Sequence, residues 1–161
     1  MDEATRLYYC DASVDVLGRA SGIAVIVRSR QGQILDAASC FLEGMTNNEA
    51  EYEAVILGLE LACLKALVPA RVVLLTDSQI VVGQVRGRFA VRDPKLAPRH
   101  ARAVHLLADL PGAALVHVPR ERNRLADALA AEAMETGLER HRNPPGEMER
   151  RDSRARGWGA L

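Results

Sequence analysis

The sequence lacks several features that would place it in a specialised class of protein. Its three cysteines, Cys10, Cys40 and Cys63, lie far apart and show no metal-ligand spacing, and an odd count argues against a disulfide framework. Cys10 and Cys63 lie in apolar runs, which predicts buried thiols. The charged residues 1–6 lead straight into an apolar run, and neither a signal peptide nor a membrane span is apparent. We therefore expect a reduced, cytoplasmic protein with no membrane contact.

A net charge is also absent, because 21 basic residues balance 21 acidic ones. The overall charge therefore gives no argument for a nucleic-acid partner, and local patches must be considered instead. The chain does have hydrophobic residues, 48% of its 161, which predicts a globular domain with a substantial core. From residue 139 the composition changes to arginine, proline and glycine. We predict one domain over residues 1–138 and a flexible tail over residues 139–161.

Hydrophobic patterning predicts three strands followed by alternating helices and strands. The predicted strands cover residues 7–10, 22–28, 34–42, 71–76 and 114–118. The predicted helices run from a capping box at residues 46–49 to residue 64, and over residues 78–85, 98–110 and 124–135. Asn123 is the expected cap of the last helix, and Gly137 is its expected end. This order predicts an α/β fold, a mixed sheet with helices on its faces.

Four carboxylates lie where chemistry could gather in such a fold. Asp11 and Asp77 each follow a predicted strand, and ligand sites in open α/β sheets collect at the carboxyl ends of strands. Glu51 shares a helix face with small apolar residues, and Asp127 has apolar neighbours on both sides. Taken singly, each acid has an ordinary alternative, as a helix cap or a solvent-facing side chain. Carboxylates held against a core need a partner, however, and Mg²⁺ prefers such oxygens.

Four motifs around these acids resemble those of the type 1 ribonucleases H. They are YYCDAS around Asp11, TNNEAEYEA around Glu51, LLTDSQIVV around Asp77 and HVPRERNRLADALA around Asp127, in the family's order over residues 7–134. The resemblance implies a ribonuclease H-like fold, with a five-stranded mixed sheet, antiparallel first strands and helices on both faces. It also implies that the four carboxylates are catalytic and bind two Mg²⁺ ions, with Mn²⁺ as the alternative metal.

The activity implied by the resemblance is endonucleolytic hydrolysis of the RNA strand of RNA–DNA hybrids, leaving 5′-phosphate and 3′-hydroxyl ends. Two metal ions about 4 Å apart can activate the attacking water and stabilise the leaving oxygen. In the family's scheme Asp11 bridges both ions, Glu51 and Asp77 hold the ion near the water, and Asp127 holds the other. A monomer is expected. The alternatives are a resolvase or exonuclease of the same fold, or a catalytically silent hybrid-binding module.

Further residues match the family's substrate-binding positions. Asn47, Asn48 and Gln79 resemble residues that reach into the minor groove of the hybrid, where an amide can both donate to and accept from ribose hydroxyls. Thr46 matches a residue that contacts a phosphate of the DNA strand, although its capping role alone would account for it.

A basic segment opposed only by Asp93 predicts phosphate contacts that do not read base sequence. Its members are Arg86, Arg88, Arg92, Lys95, Arg99 and Arg102, of which we assign Arg86, Arg88 and Lys95 to substrate binding. The ordinary alternative for such a segment is a solvated loop.

The chain departs from the best-known family pattern in the loop before Asp127. Many members carry a longer loop with a histidine there, whereas residues 119–123 are short and contain none. His117 falls in the preceding strand instead. The chain thus resembles a shorter, histidine-lacking branch of the family. Three residues remain as candidates for proton transfer and product release, namely Arg120, Glu121 and Arg122.

Overall fold

A five-stranded mixed sheet forms the centre of the protein in a computed structural model that describes residues 5–66 and 70–142, with side chains through residue 140. The strands lie in the order β3-β2-β1-β4-β5 and are β1 (Thr5–Val14), β2 (Ala20–Ser29), β3 (Ile34–Glu43), β4 (Arg71–Thr76) and β5 (Ala114–His117). The pairs β1–β2 and β2–β3 are antiparallel, and the pairs β1–β4 and β4–β5 are parallel. The predicted five-stranded mixed sheet is confirmed.

Helices cover both faces of this sheet. They are α1 (Asn47–Leu64), α2 (Gln79–Val85), α3 (Ala97–Ala108) and α4 (Arg124–Arg142), with a 3₁₀ turn at Arg120–Arg122. Cys10 and its β2 partner Val25 face Gly58 of α1, whereas Gly22 of β2 lies directly under α4. Because side chains alternate along a strand, α1 and α4 pack on opposite faces. Helix α3 packs against α1.

The start of α1 is fixed by the capping box that its sequence predicts. The backbone N–H of Glu49 donates to Thr46 Oγ1 at 3.3 Å, and the backbone N–H of Thr46 donates to Glu49 Oε1 at 3.2 Å. Two otherwise unpaired donors of the first turn are thereby satisfied. The cap fixes where the helix begins, and so it fixes the position of Glu51 in the second turn.

Small residues bring α1 close to the sheet below Glu51. Gly58 packs so tightly that a Cβ atom there would lie 2.7 Å from Cys10 Sγ, and Val55 and Ala62 on the same helix face are buried. The predicted face of small apolar residues is confirmed. Cys10 is buried as expected, but Cys63 is only half-buried, which corrects the prediction of two buried thiols.

Helix α4 is longer than its sequence pattern predicts. The predicted end at Gly137 is wrong, because α4 runs on to Arg142 and crosses the predicted domain boundary after residue 138. Gly137 packs against the ring of Phe41, and a Cβ atom there would lie 1.9 Å from Phe41 Cδ2. Glycine at this position permits a close helix–sheet contact instead of ending the helix. The rest of the predicted tail, residues 143–161, lies outside the described residues.

Candidate active site

Three carboxylates meet at the carboxyl end of two neighbouring strands. Asp11 follows Cys10, the last β1 residue paired with β4, and Asp77 directly follows β4. Glu51 reaches the same point from α1. Ligand oxygens of Asp11, Glu51 and Asp77 all lie within 4.8 Å of one another. β1 itself continues to Val14, which corrects the prediction that Asp11 ends its strand. Because β1 up to Cys10 runs parallel to β4, Asp11 and Asp77 each follow the last residue of this pairing and lie together.

The fourth carboxylate comes from α4, on the opposite face of the sheet. Asp127 lies in the first turn of α4 and lines the same cleft, of about 530 Å³, together with Asn47 and Arg120. After burial and the charge of Asp77, Asp127 also contributes to the raised pKa of Asp11. The cleft therefore contains all four carboxylates that the sequence singled out.

The cleft is electrostatically unfavourable for its own charges. Burial raises the pKa of Glu51 well above its ordinary value, and the charges of Asp11 and Asp77 raise it further. Burial, then the charge of Asp77, also raises the pKa of Asp11. Burial raises the pKa of Asp77 too, although the guanidinium of Arg120 opposes this. Clustered acids in a partly desolvated cleft retain protons unless a cation joins them.

The residues present fit a hard divalent cation. Glu51 Oε2 is buried and has no hydrogen-bond partner among the described residues, so one carboxylate oxygen of the cluster's residues is left unsatisfied. The oxygen-only donor set is the one that Mg²⁺ and related ions prefer, and an ion would offset the repulsion that raises these pKa values. The acidic cluster could therefore hold a metal.

The raised pKa values predict that the protein in chelator loses stability as the pH rises. From an ordinary carboxyl pKa of about 4 upward, the unfolded chain loses protons that Asp11 and Glu51 retain when folded. The folded state binds more protons in this window, so the free energy of unfolding falls with pH. The lowered pKa values of Asp15 and Asp36 contribute stability that is fully present above an ordinary carboxyl pKa of about 4 and is lost only as the pH falls below it, so they add no slope in this window.

The measurement is the melting temperature in chelator from pH 5.5 to 8.5, where we expect a steady decrease. Glu51→Gln should flatten the slope, because it removes one of the titrating groups. A melting temperature that rises through this window would contradict the electrostatic description of the cleft.

The predicted groove-binding residues lie at the starts of the two helices that flank the cleft. Asn47 is the first residue of α1 and lines the cleft, whereas Asn48 and Gln79 are exposed nearby at the first turns of α1 and α2. Thr46 is exposed and uses its hydroxyl in the cap of α1. Ser78, which the sequence did not single out as a site residue, lines the cleft and caps α2 by accepting from Val81 N–H.

The basic segment follows α2 and lies outside the cleft lining. Arg86, Arg88 and Lys95 are all exposed, so they are available to solvent. The prediction that only Asp93 opposes this segment is wrong, because Arg99 forms ion pairs with Glu49 at 2.9 Å and Glu53 at 2.8 Å. Arg102 also lies 3.6 Å from Glu60. These acids lie on α1, far from the basic segment in the sequence, so the ion pairs could not be predicted from the sequence pattern.

Phe89 anchors the start of the basic segment. Its ring packs against Gly83 of α2, where a Cβ atom would lie 2.2 Å from the ring, and the backbone N–H groups of Arg88 and Phe89 donate to Gly83 O. The start of the segment is thus attached to α2, although the side chains of Arg86, Arg88 and Lys95 are exposed.

The short loop before α4 separates the three candidates that the sequence left open. Arg120 lines the acidic cleft, whereas Glu121 and Arg122 line a different cavity beside Tyr9 and Ile26. His117 is exposed in β5, as expected for a strand residue, although its charge lowers the pKa of Asp77 slightly. Arg120 is therefore the candidate that belongs to the site.

Asn123 does not cap α4 in the predicted way. Its side-chain oxygen has no hydrogen-bond partner among the described residues, so it accepts from no N–H group of the helix. Its Nδ2 instead donates to the backbone oxygen of Cys10 at 2.8 Å. A lone asparagine before a helix carries no sequence signal that distinguishes these two uses.

The fold and the acidic cleft define an α/β protein of the ribonuclease H class with a candidate metal site. Residues 9–133 match the family described as reverse transcriptase-like. The ribonuclease HI of Halobacterium salinarum is 35% identical over 128 residues, which is 80% of this chain and 63% of that protein. The chain belongs to the type 1 ribonuclease H family.

Two further comparisons agree with this assignment. The structure of LC11-RNase H1 in complex with an RNA/DNA hybrid matches with a TM-score of 0.78 and 32% identity, covering 83% of this chain and 99% of that one. The bifunctional protein Rv2228c of Mycobacterium tuberculosis is 34% identical over 76% of this chain. The chain spans 63% and 33% of the length of these two curated relatives. None of the helices described here is long and apolar enough to cross a membrane.

Proposed function

We propose that this protein is an endonuclease that hydrolyses the RNA strand of RNA–DNA hybrids, leaving 5′-phosphate and 3′-hydroxyl ends. The observation that carries the proposal is the convergence of Asp11, Glu51 and Asp77 within 4.8 Å, with Asp127 in the same cleft. Support for the substrate comes from LC11-RNase H1, a relative that binds an RNA/DNA hybrid in its solved structure. On the sequence argument alone we also propose a monomer in the cytoplasm.

The four carboxylates are the proposed ligands of two Mg²⁺ ions. When bound, such ions would activate a water and stabilise the leaving oxygen of the scissile phosphate. Asp11 is the proposed shared ligand, because its carboxyl group interacts with those of Asp77, Asp127 and Glu51. Glu51 comes from α1 and Asp77 directly follows β4, whereas Asp127 comes from α4 on the other face of the sheet.

Substrate orientation is the proposed role of the polar residues that border the cleft. Asn47, Asn48 and Gln79 present amides at the starts of α1 and α2, where they could hydrogen-bond ribose hydroxyls in the minor groove. Thr46 would contact a phosphate through its backbone or hydroxyl. A guanidinium is not suited to proton transfer, because it does not release its proton in proteins, but Arg120 can offset the negative charge of a phosphate beside Asp77.

A substrate panel tests the proposal directly. The full chain is incubated with labelled RNA–DNA hybrid, double-stranded RNA, single strands and a four-way junction, each with Mg²⁺, Mn²⁺ or chelator. We expect cleavage of the RNA strand of the hybrid alone, and only with metal. Cleavage of the junction would indicate a resolvase, end-dependent degradation would indicate an exonuclease, and hybrid binding without cleavage would indicate a silent module.

Replacing the basic segment should weaken substrate binding and leave the chemical step intact. In the Arg86→Gln, Arg88→Gln, Lys95→Gln triple variant we expect KM for the hybrid to rise and its salt dependence to flatten. Each lost phosphate contact removes some counterion release. The kcat should change little, because these exposed residues lie outside the carboxylate cleft.

A charge-matched control separates this local effect from a change in net charge. Arg6, Lys65 and Arg71 lie at the opposite end of the sheet, near the starts of β1 and β4. Their triple replacement by glutamine removes the same charge and should leave KM close to that of the wild type. If the basic-segment variant lost kcat at unchanged KM and salt slope, the segment would not hold substrate.

A further inference from the structure

Asn123 is almost fully buried although it belongs to a short surface loop. Only 1% of its surface is exposed, whereas its neighbours Arg122 and Arg124 are exposed. A polar side chain in such a place is costly unless its hydrogen bonds are made. Its side-chain oxygen has no partner among the described residues. The hydrogen bond that its side chain does make is the one donated by Nδ2.

That hydrogen bond joins the two parts of the chain that carry Asp11 and Asp127. Asn123 Nδ2 donates at 2.8 Å to the backbone oxygen of Cys10, which immediately precedes Asp11 and ends the β1–β4 pairing. The backbone oxygen of Asn123 in turn accepts from Asp127 N–H at 3.0 Å. Asn123 is thus hydrogen-bonded to the residue before Asp11 and to the backbone of Asp127 itself.

The same residue also holds the loop that places Arg120 in the cleft. The backbone N–H of Asn123 donates to Arg120 O at 3.0 Å, which closes the 3₁₀ turn before α4. Three groups of the cleft, Asp11, Asp127 and Arg120, are therefore attached to one buried side chain and its peptide groups. An apolar residue of similar volume could fill the space, but it could not form the bond to β1.

We propose that Asn123 is a positioning residue that sets the separation of Asp11 and Asp127, and through it the metal affinity of the cleft. The inference rests on the proposed function, because it assumes that both carboxylates bind metal. Asn123 does not line the carboxylate cleft, so it is not itself a proposed ligand. Its effect is exerted through the backbone of β1 and the first turn of α4, and buried groups that orient ligands commonly change metal affinity 10- to 100-fold.

The test is a Mg²⁺ titration of the full chain without substrate, in which the melting temperature is measured at each Mg²⁺ concentration. Binding to the folded state alone stabilises the protein by RT ln(1 + c/Kd), where c is the Mg²⁺ concentration, so a fit of the rise gives Kd, the Mg²⁺ midpoint of binding. Asn123→Leu keeps the number and branching of the side-chain heavy atoms and removes the hydrogen bond, and we expect its Mg²⁺ midpoint to increase about tenfold or more. If the wild type shows no Mg²⁺ response at all, the metal site of the proposed function is wrong, and that failure is separate from any effect of Asn123.

The matched control is Ser21→Ala. Ser21 Oγ is buried and donates to Glu43 O at 3.0 Å, so it makes the same kind of bond between β2 and β3, without joining two carboxylate-bearing elements. We expect this variant to melt at a lower temperature with an unchanged Mg²⁺ midpoint. Asn123→Ser serves if Asn123→Leu does not fold, because a serine hydroxyl is too short to reach Cys10 O.

An unchanged midpoint in a folded Asn123 variant would overturn the inference and leave Asn123 a packing residue. A kinetic measurement gives an independent check. We expect the kcat of the variant at limiting Mg²⁺ to fall and to recover toward the wild-type value at high Mg²⁺, with KM for the hybrid unchanged. A fall in kcat that excess Mg²⁺ does not reduce would likewise contradict a role in metal affinity.

Discussion

Asp11→Asn will abolish Mg²⁺-dependent cleavage of the hybrid and will raise the melting temperature of the protein in chelator. Asp11 interacts with the other three carboxylates of the cleft, so its replacement removes the proposed shared ligand. We expect kcat/KM to fall about a thousandfold or more, equivalent to about 4 kcal/mol of activation free energy. The gain in stability follows because the variant removes one charge from a crowded, partly desolvated cluster.

The two effects are measured on the same preparation, by hybrid cleavage with Mg²⁺ and by thermal unfolding with chelator. Asp15→Asn is the matched control. Asp15 lies four residues further along, beyond β1, and pairs with Arg19 at 2.8 Å, outside the cleft. Its replacement should keep activity and should not raise the melting temperature. Cleavage at the wild-type rate by Asp11→Asn would refute the assignment of this cluster as the active site.

The opposite directions of these effects distinguish a functional cluster from a structural one. A structural carboxylate forms hydrogen bonds or ion pairs, as Glu53 does with Arg99, and its removal lowers stability. Glu51 instead leaves a buried oxygen unpaired among the described residues, and burial and neighbouring charge raise its pKa. Such a cluster lowers the stability of the metal-free fold, which is a property expected of a binding site.

Local rules account for the parts of the fold that could be predicted from the sequence. The Thr46–Glu49 capping box depends on residues three apart, so its chemistry is visible in the chain. Asp11 and Asp77 could be placed together because parallel strands end at a common edge. The small face of α1 around Gly58 follows from helical spacing alone. In each case a single rule, either a helical spacing or the common edge of parallel strands, determines where the residues lie.

Long-range contacts account for what could not be predicted. Gly137 reads as a helix end, but it packs on Phe41 of β3, and the sequence does not show which strand lies below it. Asn123 reads as a cap, but its partner is Cys10, 113 residues away. Arg99 reads as a phosphate-binding residue until α1 brings Glu49 and Glu53 beside it. The choice among Arg120, Glu121 and Arg122 required the direction of each side chain.

The contact between Gly22 and α4 is another long-range contact that could not be predicted, because nothing in the sequence around Gly22 indicates that α4 lies directly on it. A Cβ atom at Gly22 would lie 2.1 Å from Ala130 O and 2.7 Å from Met134 N, both backbone atoms of α4. Backbone in a helix cannot rotate aside as a side chain can. Gly22→Ala therefore requires α4 to move away from β2, and α4 carries Asp127 one turn before Ala130.

We expect Gly22→Ala to lower the free energy of unfolding by about 2–3 kcal/mol, since forcing atoms into a well-packed contact typically costs this much. A displacement of Asp127 by about 1 Å could also reduce kcat about a hundredfold. Urea unfolding and kcat at saturating Mg²⁺ and hybrid measure the two effects. Gly83→Ala is the control, because its Cβ would meet only the half-exposed ring of Phe89, which can move, and its kcat should be kept. Wild-type stability and kcat in Gly22→Ala would show that the α4 contact does not position Asp127.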